Sequence, residues 1–447
     1  MAKSTKLVVL GVVLAGLALA TVAPATAQSS DKPQATEVGV SASRIRIGVI
    51  ADVDNPFAPG LFKGAADGVK AAAAYLNSKG GGGGLAGRKV VVDFYDSKLN
   101  PNETRNATIK GCQNDYALVG TTALFLSQVE DVVNCKDQAG QATGIPDLSA
   151  IATGVPEACS AMSFPALGTA IDCATVTQSP QTFFGNQGPA KWELSKHKDL
   201  HGPFLASSDT KDANRGGTIL ALVNQQAGIK GDQGTTVVLG GRDPQSAYTP
   251  VVQKMKEDNS NYSMNALAAN SALLIRNEAQ LQGLDTSKIL WECVSCYGNE
   301  IVPKNADAFE GEVQFLGFLP FEEASVNKTV ANFLKYMKQV GGTPDQFSAY
   351  AYAATLAFAD AVKAVVQANG VNGLTRADLV TGIKTLTDFD ANGMVGKRSF
   401  KTGKTTSCFM MVQFKNGKWV RQYPSKKGTF DCKASNLVSI DANLLGS

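Results

Sequence analysis

The sequence predicts an α/β protein of two doubly wound parallel-sheet lobes, and three observations carry that expectation. Short apolar runs alternate with stretches of helical period, the grammar of strands crossing over through helices. The alternation lapses over an irregular, cysteine-bearing segment at 154–189 and then restarts. The chain, at 447 residues, also exceeds the roughly 250–300 at which a single hydrophobic core stops growing.

Arg44-Ile45-Arg46-Ile47-Gly48-Val49-Ile50 alternates at period two and then runs apolar, as a strand does on entering a sheet covered on both faces. Over 61–77, Phe62, Ala65, Ala66, Val69, Ala72, Ala73 and Leu76 recur at three and four, a helix stripe that glycines 80–84 stop. A strand at 89–94, a turn at Asn100-Pro101-Asn102, a helix at 103–114, a strand at 116–120, a helix at 126–137 and a short strand at 145–149 complete the first series. In the second, strands at 203–207, 235–239, 266–269, 289–292 and 313–320 alternate with helices at 216–228, 248–258 and 274–282. Thr249 and Pro250 suit the start of the middle helix, where a missing N–H costs nothing. Helices follow at 325–340, 346–367 and 376–385, and strands at 408–414 and 418–422 flank Asn416-Gly417, a hairpin signal.

Composition narrows the function. Lys+Arg 42 against Asp+Glu 39 gives a net charge of +3, which is no nucleic-acid footprint. The two histidines, His197 and His201, leave little material for imidazole metal sites or acid–base catalysis near neutral pH, so no metal and no cofactor are expected. Lys3 and Lys6 precede an apolar run over 7–23, and Pro24-Ala25-Thr26-Ala27 offers small residues for cleavage after Ala27. Residues 1–27 therefore read as a signal peptide, 28–41 as a flexible leader, and the alternative is an uncleaved anchor. The first cysteine is Cys112, so a lipidated cleavage site is not expected, and no later stretch reads as apolar enough to span a bilayer. The expectation is a monomer, periplasmic or secreted.

Eight cysteines in an exported chain read as disulfides, and although eight allow 105 pairings, spacing favours neighbours. The expected pairs are Cys112 with Cys135, Cys159 with Cys173, Cys293 with Cys296 and Cys408 with Cys432, each worth about 2–4 kcal/mol when unstrained. For Cys293-Val-Ser-Cys296 the alternative is a redox or zinc site, but zinc wants four ligands and no second such pair exists. Gly82-Gly83-Gly84-Leu85-Ala86-Gly87 fits a dinucleotide fingerprint by letter only, because it follows a helix and opens a strand. Local hydrolase and P-loop motifs are missing from the sequence.

Several stretches carry a resemblance. Arg44 to Val49, Ala74-Tyr75-Leu76-Asn77, Gly84-Leu85-Ala86-Gly87-Arg88-Lys89, Ala117-Leu118-Val119-Gly120-Thr121-Thr122, Leu148-Ser149-Ala150-Ile151-Ala152-Thr153 and Gln346-Phe347-Ser348-Ala349-Tyr350-Ala351-Tyr352-Ala353-Ala354 keep family order from about residue 40 onward. Together they resemble type I periplasmic binding proteins, specifically the branched-chain amino-acid (Leu/Ile/Val-type) substrate-binding proteins of ABC importers. The resemblance implies a three-stranded hinge, through 182–188, 321–325 and 390–393, joining an N-terminal lobe of 42–182 plus 325–390 to a C-terminal lobe of 183–324 plus 391–447.

In such sheets ligands sit beyond the carboxyl ends of strands. In the first lobe that selects Asn55, Phe57, Thr121, Thr122, Ala123, Ser149, Ile151 and Thr153; in the second it selects Ser208, Asp209, Asn270, Glu292, Ser295 and Tyr297. The resemblance implies that Thr121 or Thr122, Ser149 and Thr153 hold a ligand carboxylate, and that Glu292 or Asp209 meets an ammonium. Ordinary N-capping is the other role open to the hydroxyls. Asn270-Ser271 stands where the family has an aromatic, which leaves amides, urea-like compounds, polyols and aromatic acids open beside amino acids. The expected function is a non-enzymatic solute-binding protein that closes on a small polar molecule and docks on an ABC permease. The rivals are a sensor module of the same fold and an exported enzyme with a dispersed site.

Overall fold

The computed structural model describes residues 1–2, 32–55, 60–126, 129–178 and 181–441. The signal-peptide reading, apart from its first two residues, and Phe57 lie outside them. The main body begins at Lys32.

Its first sheet has the order β2-β1-β3-β4, all parallel, from β1 (Arg44–Ala51), β2 (Lys89–Asp96), β3 (Ala117–Val119) and β4 (Asp147–Leu148). Period two explains how helices cover both faces. Ile45, Ile47 and Val49 share a core with Ala65, Val69 and Ala72 of α1 (Lys63–Asn77), whereas Ile50 and Leu118 point the other way, to Ala107 of α2 (Pro101–Asn114). Asn100 caps α2 by accepting from the amides of Asn102 and Glu103. At Gly120, φ is +75° and a Cβ would stand 2.4 Å from Val69, so only glycine lets α1 lie this close to the end of β3.

Two shorter helices follow, α3 (Glu130–Val133) and α4 (Val155–Ala158). The helix expected over 126–137 is cut to the four residues of α3, because Cys135 is bridged to Cys112 of α2 and its carbonyl turns to the Gly144 amide. The chain then runs through β5 (Thr182–Asn186), α5 (Gly188–Lys196), β6 (His201–Gly202), β7 (Phe204–Ser207), α6 (Lys211–Ala227), β8 (Lys230–Gly231), β9 (Val237–Leu239), α7 (Thr249–Asp258), β10 (Tyr262–Asn265), α8 (Ala269–Leu281) and β11 (Leu290–Cys293). Next come α9 (Ile301–Lys304), α10 (Ala306–Phe309), β12 (Val313–Leu316), α11 (Lys328–Gln339), α12 (Gln346–Asn369), α13 (Arg376–Lys384), β13 (Met410–Lys415), β14 (Lys418–Tyr423) and β15 (Leu437–Asp441).

The second sheet has the order β14-β13-β12-β11-β10-β7-β9, parallel from β12 to β9 and antiparallel through β13 and β14. It too is wound on both faces: Leu205 and Trp291 pack toward α7 and α8, and Phe204, Tyr262 and Met264 toward α5 and α6. β5 pairs with β15, and β6 with β8, as separate ribbons. The strand expected at 266–269 lies four residues earlier, in Tyr262-Ser263-Met264-Asn265, and Ala269 already opens α8.

Although they follow β12 of the second sheet, α11 and α12 pack on α1, and α12 also lies on β3 and β4. By length and composition α12 could cross a membrane, contrary to the sequence expectation, but its apolar side chains are spent on this core. The segment expected as a leader is anchored from Gln34 onward. The buried Arg88 guanidinium donates to the carbonyls of Gln34 (2.8 Å), Ser41 (2.7 Å) and Val371 (2.9 Å). All four cysteine pairs form as spacing suggested.

Candidate functional site

The carboxyl ends of the first sheet's strands are tied together by a single acid. Asp52, directly after β1, accepts from the Ser97 hydroxyl (2.6 Å) and the Leu99 amide (2.9 Å) beyond β2, and from the Leu124 amide (2.9 Å) beyond β3. Burial pushes its pKa up, against the pull of those three donors. Beside it Asp96 accepts from the amides of Val53 (3.1 Å) and Asp54 (2.9 Å), fixing the loop that bears the buried Asn55. Sequence reasoning missed Asp52; an acid immediately after an apolar strand was the available signal.

Next to this clamp the predicted residues of β3 and β4 converge. The Thr121 carbonyl accepts from the amides of Ala150 (3.0 Å) and Ile151 (3.4 Å), and Thr122 bonds back to Ile50 (2.9 Å). Ala123 is buried beside them. The hydroxyls of Thr121, Thr122, Ser149 and Thr153 are buried and have no hydrogen-bond partner among the described residues. Polar groups of this kind ordinarily find partners, which makes a cluster of four a candidate binding place. The capping role is therefore not the one these hydroxyls play here.

Two acids stand in the same corner. The carboxyl of Asp147, on β4, lies beside the Thr121 hydroxyl without reaching hydrogen-bond geometry, and burial pushes its pKa up to about 7. Glu157, in α4, accepts from the amides of Thr153 (3.2 Å) and Gly154 (3.4 Å). Burial first, then the neighbouring Asp147, raises its pKa well above the carboxylate range, against those two amides.

The facing loops belong to the second sheet. Asp209 accepts from the Ser207 hydroxyl (2.9 Å) and the Gly241 amide (3.0 Å), joining the loops after β7 and β9, and Ser208 beside it is exposed. Ser295 donates to the Leu267 carbonyl (2.5 Å). Asn270 is exposed, in the first turn of α8 rather than in a loop.

Two expected contacts sit elsewhere. Glu292 pairs in register with Met264, so its side chain points under α5 and α6, where it bonds Tyr262 inside the lobe. Burial pushes its pKa up to about 7. Tyr297 is enclosed by Phe318, Phe321 and Trp419, with its hydroxyl donating to Glu322 (2.7 Å) and accepting from the Phe321 amide (2.6 Å). An ammonium contact at Glu292 would need the sheet and its helices to part, and of the two acids expected to meet an ammonium Asp209 is the one on a strand-end loop.

One residue joins the two sets of loops. Arg215, in the second turn of α6, donates to the Thr153 carbonyl (2.6 Å) and is held by Asp212 (2.5 Å). It connects the loop after β4 with the helix after β7. Nothing in its local sequence distinguishes it from any surface arginine of a helix.

A family model described as periplasmic binding protein matches residues 44–418. Among solved structures the chain is similar to an ABC transporter substrate-binding protein of Aeropyrum pernix, at 13% identity and TM-score 0.65, covering 88% of this chain and 97% of that one. It is similar to a fatty acid ABC transporter substrate-binding protein of Thermomonospora curvata, at 16% identity and TM-score 0.65, covering 89% and 98%. A branched-chain amino acid transporter substrate-binding protein of Streptococcus pneumoniae in complex with isoleucine is similar at 18% identity and TM-score 0.58, covering 85% and 100%. Likeness at these identities speaks to the fold. A search of curated proteins finds no match.

Proposed function

Because the chain belongs to the periplasmic binding protein family, a family of binding proteins and not of enzymes, we propose that it is the extracytoplasmic substrate-binding subunit of an ABC importer. It captures a small polar solute between the strand ends of its two sheets, closes about its hinge and presents the solute to a membrane permease. The observation that carries this reading is the set of buried hydroxyls on Thr121, Thr122, Ser149 and Thr153, unpartnered among the described residues, the last of them on a loop that Arg215 ties to α6 of the second sheet. Hydroxyls both donate and accept, so the set suits a solute with several polar atoms. The reading assigns further contacts to Asn55, Ala123 and Ile151 on the first sheet's loops and to Ser208, Asp209 and Ser295 on the second's. Isoleucine in one neighbour and a fatty acid in another show how far solutes diverge on this fold.

A micromolar solute, about −8 kcal/mol, is enough to shift an open–closed equilibrium of a few kcal/mol. The test is a thermal-shift screen of the ligand-stripped chain with amino acids, amides, polyamines, sugars and aromatic acids. A solute at about 100 times its Kd stabilises by ~2.7 kcal/mol, a readily measured rise. Silence across every class removes the proposal.

A further inference from the structure

The first-sheet corner holds two buried acids, a poor match for a carboxylate. Asp147 and Glu157 are each 3% exposed, and neither forms an ion pair among the described residues. Asp147 Oδ1 and Glu157 Oε1 have no hydrogen-bond partner among the described residues. The guanidinium in this neighbourhood, that of Arg215, is occupied by Asp212 and the Thr153 carbonyl. The oxygens of Thr121 and Ser149, both wholly buried, are likewise unpartnered and free to accept. Four buried oxygens, on β4, on α4 and on the loops after β3 and β4, therefore share one corner that holds two acids and no cation paired to them among the described residues.

We propose that this corner is a cation subsite, which takes an ammonium or guanidinium-type nitrogen of the solute and rejects its carboxylate. The inference rests on the solute-binding reading above and reverses the polarity that family resemblance implies for Thr121, Ser149 and Thr153. A solute carboxylate placed here would be a third acid in a water-poor corner with no cation to match it, and would keep Asp147 and Glu157 protonated. A nitrogen cation would donate to Asp147 Oδ1, Glu157 Oε1 and the hydroxyl oxygens, and would supply the positive charge that lets both acids ionise. Burial holds both acids toward their neutral form while the corner is empty, which is how two uncompensated carboxyls persist side by side.

The experiment uses a matched pair of probes, isoamylamine and 4-methylpentanoate, with agmatine as a guanidinium probe, measured by thermal shift and calorimetry on the full chain. The amine and agmatine are expected to bind and 4-methylpentanoate is not. Asp147→Asn is expected to weaken the amine at least tenfold, with the ligand-free melting temperature unchanged or raised because a neutral isostere replaces a neutral acid. Glu157→Gln, which keeps an acceptor for the Thr153 and Gly154 amides, is expected to weaken it likewise. Binding by 4-methylpentanoate alone, or amine binding that both variants leave unchanged, overturns the cation subsite while the solute-binding reading stands. Silence from all three probes, with a solute of another class binding, does the same. Silence from every class removes both.

Discussion

The carboxylate of Asp52 accepts the backbone amide of Leu124 at 2.9 Å, and through that bond the loop after β3 is held to the loop after β1. The same carboxylate holds the loop after β2 through Ser97 and Leu99. Asp52→Ala should leave two amides and a hydroxyl without their acceptor. The expected cost is about 2–4 kcal/mol in urea unfolding, with weaker solute binding in thermal shift. Asp52→Asn, which keeps one acceptor, should cost less.

Stability should fall as pH rises through neutrality. Burial pushes Glu292 up to about 7 and Glu193, which also feels Glu292, up to about 8; Asp115 at about 8 and Asp147 at about 7 act in the same direction. The folded state thus holds protons that the unfolded chain releases near pH 4. That stabilisation is present at pH 4 and lost as pH passes 7 to 8. A urea midpoint lower at pH 9 than at pH 6 is expected, and Glu292→Gln should flatten the slope. The same variant should change solute affinity less than twofold, since Glu292 is bonded to Tyr262 inside the lobe.

Removing the Arg215 side chain should separate binding from folding. Arg215→Met loses the bond to the Thr153 carbonyl, and a drop of about tenfold in solute affinity, ~1.4 kcal/mol, is expected. The ligand-free melting temperature should stay within a degree or two. A larger radius of gyration in solution scattering with saturating solute would locate the loss in closure.

Arg276 and Glu312 form an ion pair at 2.8 Å, with side chains 4% and 1% exposed. Arg276→Met alone should destabilise by about 3–5 kcal/mol, because the Glu312 charge is left without its partner. Adding Glu312→Gln should recover much of that loss, and a double-mutant cycle in urea measures the coupling.

The strand-and-helix alternation was legible because β1 and the stripe of α1 obey two different periods, two and 3.6, that composition cannot mimic. Thr121, Thr122 and Ser149 were legible for the same reason: a hydroxyl at the end of an apolar run must sit where a strand opens. Glu292 was not. In a four-residue strand covered on both faces, Trp291 and Glu292 give no sign of which points at α8 and which at α6. β10 escaped notice because Ser263 and Asn265 are buried polar residues in a strand where only Tyr262 and Met264 look apolar. Asp52 and Arg215 act across 72 and 62 residues, and separations of that size leave no local trace.

The four disulfides join consecutive cysteines, the first to the second, the third to the fourth and onward, across separations of 23, 14, 3 and 24 residues. No bridge spans another. A chain threaded outward from its N-terminus and oxidised as each thiol emerges would meet only its proper mate, so the native map is also the order of first encounter. Such a protein can mature without any shuffling catalyst, and its yield in an oxidising compartment should depend on an oxidase and be indifferent to the loss of a disulfide isomerase.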